Sequence, residues 1–85
     1  MRIIFVDESW EDYQYWAETD KRMLGRINQL VKEISRNPFK GLGKPEPLRH
    51  QYKGYWSRRI DNEHRLIYKV EGNDQMIVKC RFHYD

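Results

Sequence analysis

Apolar positions recur at two periods along this chain, and those periods split it into a helical first half and a stranded second half. Residues 2–6, Arg-Ile-Ile-Phe-Val, are mostly β-branched or aromatic and read as a short buried strand. Ser9 has the chemistry of an N-cap, with Asp12 three residues on in place of the usual Glu or Gln. The helix it opens carries Trp10, Tyr13 and Trp16 at i, i+3 and i+6, an aromatic inner face. Asp20 caps a second helix over residues 21–36. Within it Met23, Ile27, Leu30, Val31 and Ile34 follow the 3.6-residue period, and Lys, Arg, Asn and Gln fill the outer face. Both stripes read as core. Asn37-Pro38 ends this helix, because the residue before proline is pushed out of the α region.

The pattern then switches to period 2. In residues 55–60, Trp56 and Ile60 share one face while Tyr55, Ser57 and Arg59 take the other. Arg58 falls on the apolar side by parity, so it sits at the sheet rim, pairs with an acid of the first helix, or breaks the pattern. In the next strand Leu66, Tyr68 and Val70 oppose Arg65, Ile67 and Lys69. In the last, Met76, Val78, Cys80 and Phe82 oppose Ile77, Lys79, Arg81 and His83. Helices followed by strands give an α+β class, with two N-terminal helices packed on a small antiparallel sheet, all in a single domain, 1–85.

Register follows from requiring the apolar faces to agree. A three-residue loop Asp61-Asn62-Glu63 sets Arg59 against Arg65 and Ser57 against Ile67. An even register about residues 71–75 sets Val70 against Met76, Ile67 against Lys79 and Arg65 against Arg81, with His83 near Glu63. Arg59, Arg65 and Arg81 then form a row across three strands. Like charges directly opposite one another destabilise a sheet by up to ~1 kcal/mol per pair. Either the row holds an anion, or the guanidinium groups fan apart into solvent.

Residues 37–53 carry all three prolines and no regular pattern. A loop that long in a small domain is usually functional. At its centre, Pro45 and Pro47 flank Glu46 and bias the residues before them to extended backbone. Lys44, Arg49 and His50 lie close in sequence. The segment is either a rigid surface linker with a solvated Glu or a device that holds a carboxylate still.

Charge sharpens this picture. Residues 44–69 contain seven Lys/Arg against three acids, a net of +4, while the first twenty residues contain one base against six acids, a net of −5. Segregation of this kind suits a surface that meets a polyanion. The lone Cys80 excludes an internal disulfide and a cysteine metal cage, which fits a reducing cytoplasm. The start, Met1-Arg-Ile-Ile-Phe-Val6, has an apolar run of only four before Asp7, so no secretory leader is expected. No stretch approaches the ~20 apolar residues needed to span a bilayer, so no membrane partner is expected.

The chain offers no Ser/His/Asp set, no metal-ligand spacing and no glycine-rich phosphate loop, so neither metal nor cofactor is expected. It offers a carboxylate (Glu46), arginines (Arg59, Arg65, Arg81), an imidazole (His83) and aromatics (Tyr84, Tyr55). Metal-free phosphoryl transfer needs a base for the nucleophile, an acid for the leaving oxygen and cations on the phosphoryl oxygens. Glu46, His83 and Arg65 can take those roles in that order. With RNA the 2′-OH is an available nucleophile, and aromatics can stack on splayed bases. Each residue also has a plain alternative. His83 can be a solvated histidine, Tyr84 can cover the sheet edge, Cys80 can be a small core residue, and His50 and His64 can be structural.

Several stretches together resemble the YoeB/Txe family of bacterial toxins, within the RelE-like superfamily. They are Glu8-Ser-Trp-Glu-Asp-Tyr13, Trp16-Ala-Glu-Thr-Asp-Lys21, Gly43-Lys-Pro-Glu-Pro-Leu48, Trp56-Ser-Arg-Arg-Ile60, Glu63-His-Arg-Leu66 and Cys80-Arg-Phe-His-Tyr84. The resemblance covers essentially the whole chain. It implies a RelE-like microbial RNase fold and the toxin of a type II toxin–antitoxin pair. Such a toxin enters the ribosomal A site in the cytoplasm, cuts mRNA there and stops translation. It also implies a YefM/Axe-type antitoxin as partner and allows a homodimer. On this resemblance Glu46 is general base, His83 general acid, Arg65 the contact to the scissile phosphate and Tyr84 the substrate positioner. Supporting roles fall on Arg59, Glu63 and the basic residue 49. Independently of the resemblance, Lys44 and His50 beside Glu46 and Arg81 in the arginine row are further candidate RNA or phosphate contacts. This chain has Arg49 where the family commonly has Lys. A guanidinium keeps the charge but does not give up its proton. A catalytically silent module that binds RNA or the ribosome is the alternative, and a basic face made to hold an acidic peptide is a third.

Overall fold

A computed structural model describes residues 1–83. The order of elements is β1 (Arg2–Phe5), α1 (Asp7–Thr19), α2 (Lys21–Arg36), β2 (Glu46–Pro47), a single 3-10 turn (His50–Tyr52), β3 (Trp56–Arg59), β4 (Arg65–Glu71) and β5 (Asp74–Lys79). The strands form one sheet in the order β1-β5-β4-β3-β2, antiparallel except where β1 joins β5 in parallel. Both helices cover one face. Ile27, Leu30 and Ile34 of α2 and Trp16 of α1 pack there against Ile60, Leu66, Tyr68, Ile77 and Cys80. The expected α+β arrangement is therefore present, and α2 has the expected bounds. Asp20 caps it as expected, its Oδ1 accepting from the N–H groups of Arg22 and Met23 at 3.1 and 3.2 Å.

Ser9 does not cap α1. The helix begins two residues earlier, at Asp7, and Ser9 lies fully buried in its first turns. Its hydroxyl sits between the carbonyls of Val6 (3.0 Å) and Ile77 (2.5 Å), so a short polar side chain ties α1 to β5 where an apolar one could not. Trp10 is not an inner residue either. It is about half exposed and stacks on Tyr13 at 5.8 Å. The first strand is an edge rather than a buried strand, with Ile3 40% exposed.

The last hairpin departs most from expectation. It closes with a two-residue turn, Gly72-Asn73, between the paired Glu71 and Asp74, and Gly72 takes the positive φ of 55° that this turn needs at its first position. That sets Tyr68 against Ile77, one residue away from the even register. A β-bulge then restores Ile67 opposite Lys79. The bulge changes the parity along β5. Gln75 and Ile77 face the core, and so does Cys80, whereas Met76 and Val78 are only partly buried. The apolar face expected from strict alternation therefore holds only at the Cys80 end.

Arg58 is wholly buried and breaks the pattern, and among the described residues it has no acidic partner. Its guanidinium donates to the Tyr68 hydroxyl (3.1 Å) and to the carbonyls of Leu42 (2.9 Å), Lys40 (3.1 Å) and Asn37 (2.5 Å). It thus fastens the chain after α2 to the sheet. That is a use for the planar, many-donor fork of arginine that no apolar residue could supply.

Candidate active site

The loop that carries Glu46 is stitched to β3 along its length. Arg59 N–H donates to the Gly43 carbonyl at 2.7 Å, Glu46 and Pro47 pair with Ser57 and Trp56, and Leu48 N–H donates to the Tyr55 carbonyl at 2.9 Å. Leu48 is buried beneath it. Glu46 is extended, as its place before Pro47 dictates. Lys44 is not extended. It has a φ of 51° and makes, with Gly43 at 84°, a left-handed turn into the strand.

On the next strands Arg59 and Arg65 stand opposite each other, as the register argument requires, and Ser57 stands opposite Ile67. Arg65 is held by its own turn: one guanidinium nitrogen donates to the carbonyls of Asp61 (2.8 Å) and His64 (3.0 Å). Asp61 braces the same turn. Burial works against its ionisation, but the backbone N–H groups of His64 and Glu63 at its carboxylate outweigh that and hold its pKa below the ordinary value.

Lys44, Glu46, Ser57, Arg59, Arg65 and His83 line one open cleft of about 270 Å³. A carboxylate and an imidazole thus share a hollow with three cations, although Glu46 and His83 are 37 positions apart in the chain. Arg49 and His50 line an adjoining hollow with Glu46. A larger cleft, about 540 Å³, opens between the start of α2 and the Ile60-Asp61 corner. Among the described residues its charged groups, Asp20, Arg22, Arg26 and Asp61, include no imidazole, and both carboxylates are engaged by backbone N–H groups, Asp20 as the cap of α2 and Asp61 in its turn, so chemistry selects the smaller cleft.

Other expected site residues lie elsewhere. Strand β5 ends at Lys79, so Arg81 does not complete the arginine row. Its guanidinium lies 3.5 Å from the Tyr15 ring centroid on α1 and 4.4 Å from that of Phe82. The pairing that set Glu63 beside His83 is likewise absent. The Glu63 carboxylate lies 3.6 Å from Nε2 of His64. Tyr55 has the Lys69 ammonium 5.4 Å from its ring centroid. Tyr84 falls outside the described residues. Ser57 was not singled out from sequence, although alternation had already placed it on the Arg59 face. Sequence alone leaves His64 between a structural and a functional reading, although alternation with Leu66 and Tyr68 puts position 64 on the core face. It is buried, and its Nδ1 accepts from Phe82 N–H at 2.8 Å.

Residues 5–84 match the YoeB-like toxin of bacterial type II toxin-antitoxin systems. The chain belongs to this family. It is 55% identical over 84 residues to toxin YoeB of Escherichia coli strain K12, covering 99% of this chain and all of that one. A YoeB/ParE toxin from Agrobacterium tumefaciens superposes with a TM-score of 0.97 at 49% identity, covering 99% and 100% of the two chains. The YoeB dimer from Staphylococcus aureus gives 0.93 at 46%, covering 99% and 98%. A heterotetrameric YoeB-YefM toxin-antitoxin complex from the same organism gives 0.92 at 46%, with the same coverage. The two helices on a mostly antiparallel sheet are thus the RelE-like arrangement shared by these toxins.

Proposed function

We propose that the chain is a ribosome-dependent mRNA endoribonuclease that cleaves mRNA in the ribosomal A site and stops translation. The observation that carries this is the cleft in which Glu46 and His83 share a hollow with Lys44, Arg59 and Arg65. Glu46 takes the proton from a ribose 2′-OH. The 2′-oxygen bonds to phosphorus, the bond from phosphorus to the 5′-oxygen breaks, and that oxygen takes a proton from the His83 imidazolium. The products are a 2′,3′-cyclic phosphate and a 5′-hydroxyl. Arg65, fixed by two carbonyls, presents its remaining donors to the non-bridging oxygens, with Arg59 and Lys44 beside it. In the adjoining hollow Arg49 contacts the RNA strand through charge and His50 through hydrogen bonding, and Tyr84 positions a base. By likeness to the Staphylococcus aureus assemblies, the partners are a YefM-type antitoxin and a second copy of the chain. Ribosome dependence places the protein in the cytoplasm.

Primer extension on a translated mRNA, with and without ribosomes, tests this reading. Wild type should give a cut product only with ribosomes, and Glu46→Ala and His83→Ala should each lower it by ~100-fold or more. Equal inhibition of translation by all three proteins with no cut product would replace the enzyme with a silent binding module.

A further inference from the structure

We infer that His64 is a positioning residue for the proposed reaction: its Nδ1 holds the Phe82 N–H and so aims His83 into the cleft. The inference rests on the function proposed above. Phe82 has a φ of 64°, a left-handed conformation that a bulky side chain disfavours. Phe82 is 49% exposed, so burial of its side chain does not select this backbone. Hydrogen bonds on both sides do. Phe82 N–H donates to His64 Nδ1 at 2.8 Å, and Arg65 N–H donates to the Phe82 carbonyl at 3.0 Å. The left-handed step turns the chain out of the β5 direction, and the next residue, His83, lines the cleft.

The hydrogen-bond chemistry fixes the imidazole. A backbone N–H only donates, so Nδ1 carries its lone pair and the ring proton sits on Nε2. Nε2 faces the Glu63 carboxylate at 3.6 Å. Trp16 supports the ring edge-on at 4.9 Å and 78°, and its own Nε1 donates to the Cys80 carbonyl at 2.9 Å. The segment just before His83 is therefore gripped on either side of Arg81, at Cys80 by Trp16 and at Phe82 by His64. The Phe82 N–H sets this tautomer, and the Glu63 carboxylate adds only a favourable charge near Nε2.

Paired variants separate this role from simple packing. Asparagine at position 64 carries a polar atom where Nδ1 stands, whereas glutamine carries its polar group where Nε2 stands and fills more of the ring's space. His64→Asn should keep both the slow hydrogen exchange of the Phe82 amide and most of the cutting rate. His64→Gln should lose that protection and lower kcat by roughly tenfold to a hundredfold with KM unchanged, as expected when a catalytic group is misaimed. Equal behaviour of the two variants, or better function from His64→Gln, overturns the inference. Should neither variant fold, nitrogen NMR of the wild-type ring decides it: a bare Nδ1 and protonated Nε2 uphold it, and a proton on Nδ1 overturns it. A wild type that cuts nothing would remove the proposed function, and the exchange and NMR measurements would still decide whether His64 holds Phe82.

Discussion

Arg59 and Arg65 stand directly opposite each other on β3 and β4, two like charges at one rung of the sheet. Opposed like charges lower stability, by up to ~1 kcal/mol here, and salt screens the effect. Arg59→Gln should therefore raise the melting temperature at low ionic strength while lowering cutting. The gain should vanish in high salt. Thermal melts in both buffers, beside a cleavage assay, check both signs. Arg65→Ala should differ. It loses the same repulsion but also its two carbonyl contacts, so its melting temperature should stay level or fall slightly while cutting drops by ~100-fold or more.

Arg58 should tolerate no replacement. Arg58→Met removes the donors to three part-buried carbonyls and to the Tyr68 hydroxyl, which keeps only its own bond to the Pro38 carbonyl, at a cost of about 2–4 kcal/mol. Arg58→Lys should recover little, because one ammonium cannot span the same set. Urea unfolding of the three proteins measures this. Equal midpoints for wild type and Arg58→Met would refute it.

Gly43 and Gly25 should respond in opposite directions to alanine. At Gly43, with φ of +84°, an added Cβ would lie 2.8 Å from Leu30 Cδ2 and 3.0 Å from the Arg59 carbonyl oxygen. Gly43→Ala should cost about 1–3 kcal/mol and also lower cutting, since the same turn leads into Glu46. Gly25 lies within α2, and among the described residues nothing comes within 4 Å of its added Cβ. Gly25→Ala should stabilise by about 0.5–1 kcal/mol and leave cutting unchanged.

Cys80 gives a pH signature. Burial, and then the Asp12 charge, push its thiol up to about 12 from the ordinary 9.0. Above the ordinary value the unfolded chain loses this proton and the folded chain keeps it. Stability should therefore fall as pH rises through that window, by ~1.4 kcal/mol per pH unit from this group. Cys80→Ala should flatten the decline in melts taken above about pH 9. At neutral pH the native thiol should resist alkylation that proceeds readily after unfolding.

Much of the candidate site was legible in the sequence because it depends on local rules. The restriction before Pro47 gave an extended Glu46, and a three-residue turn with even parity gave Arg59 opposite Arg65. The α2 stripe and its Asp20 cap were legible for the same reason. What stayed hidden depended on distant partners. Nothing near Ser9 announces the Ile77 carbonyl, and nothing near Arg58 announces the carbonyls of Asn37, Lys40 and Leu42. The bulge reconciles two preferences the sequence states separately, a tight Gly-Asn turn at one end and Ile67 opposite Lys79 at the other. Alternation alone forced a choice between them. Arg81 was misplaced for a different reason: β5 ends at Lys79, two positions short of it.

The tail's attachment to α1 also bears on the order in which the molecule assembles. Cys80 N–H is held by Asp12, and the Cys80 carbonyl by Trp16, across 68 and 64 residues of chain. The β3–β4 and β4–β5 hairpins, by contrast, close locally and can form early. A chain with its hairpins made but α1 undocked would carry Glu46, Arg59 and Arg65, with the segment before His83 held only from the His64 side. Docking of α1 thus completes the grip on the cleft's imidazole, and on the proposed function a form without it would cut less.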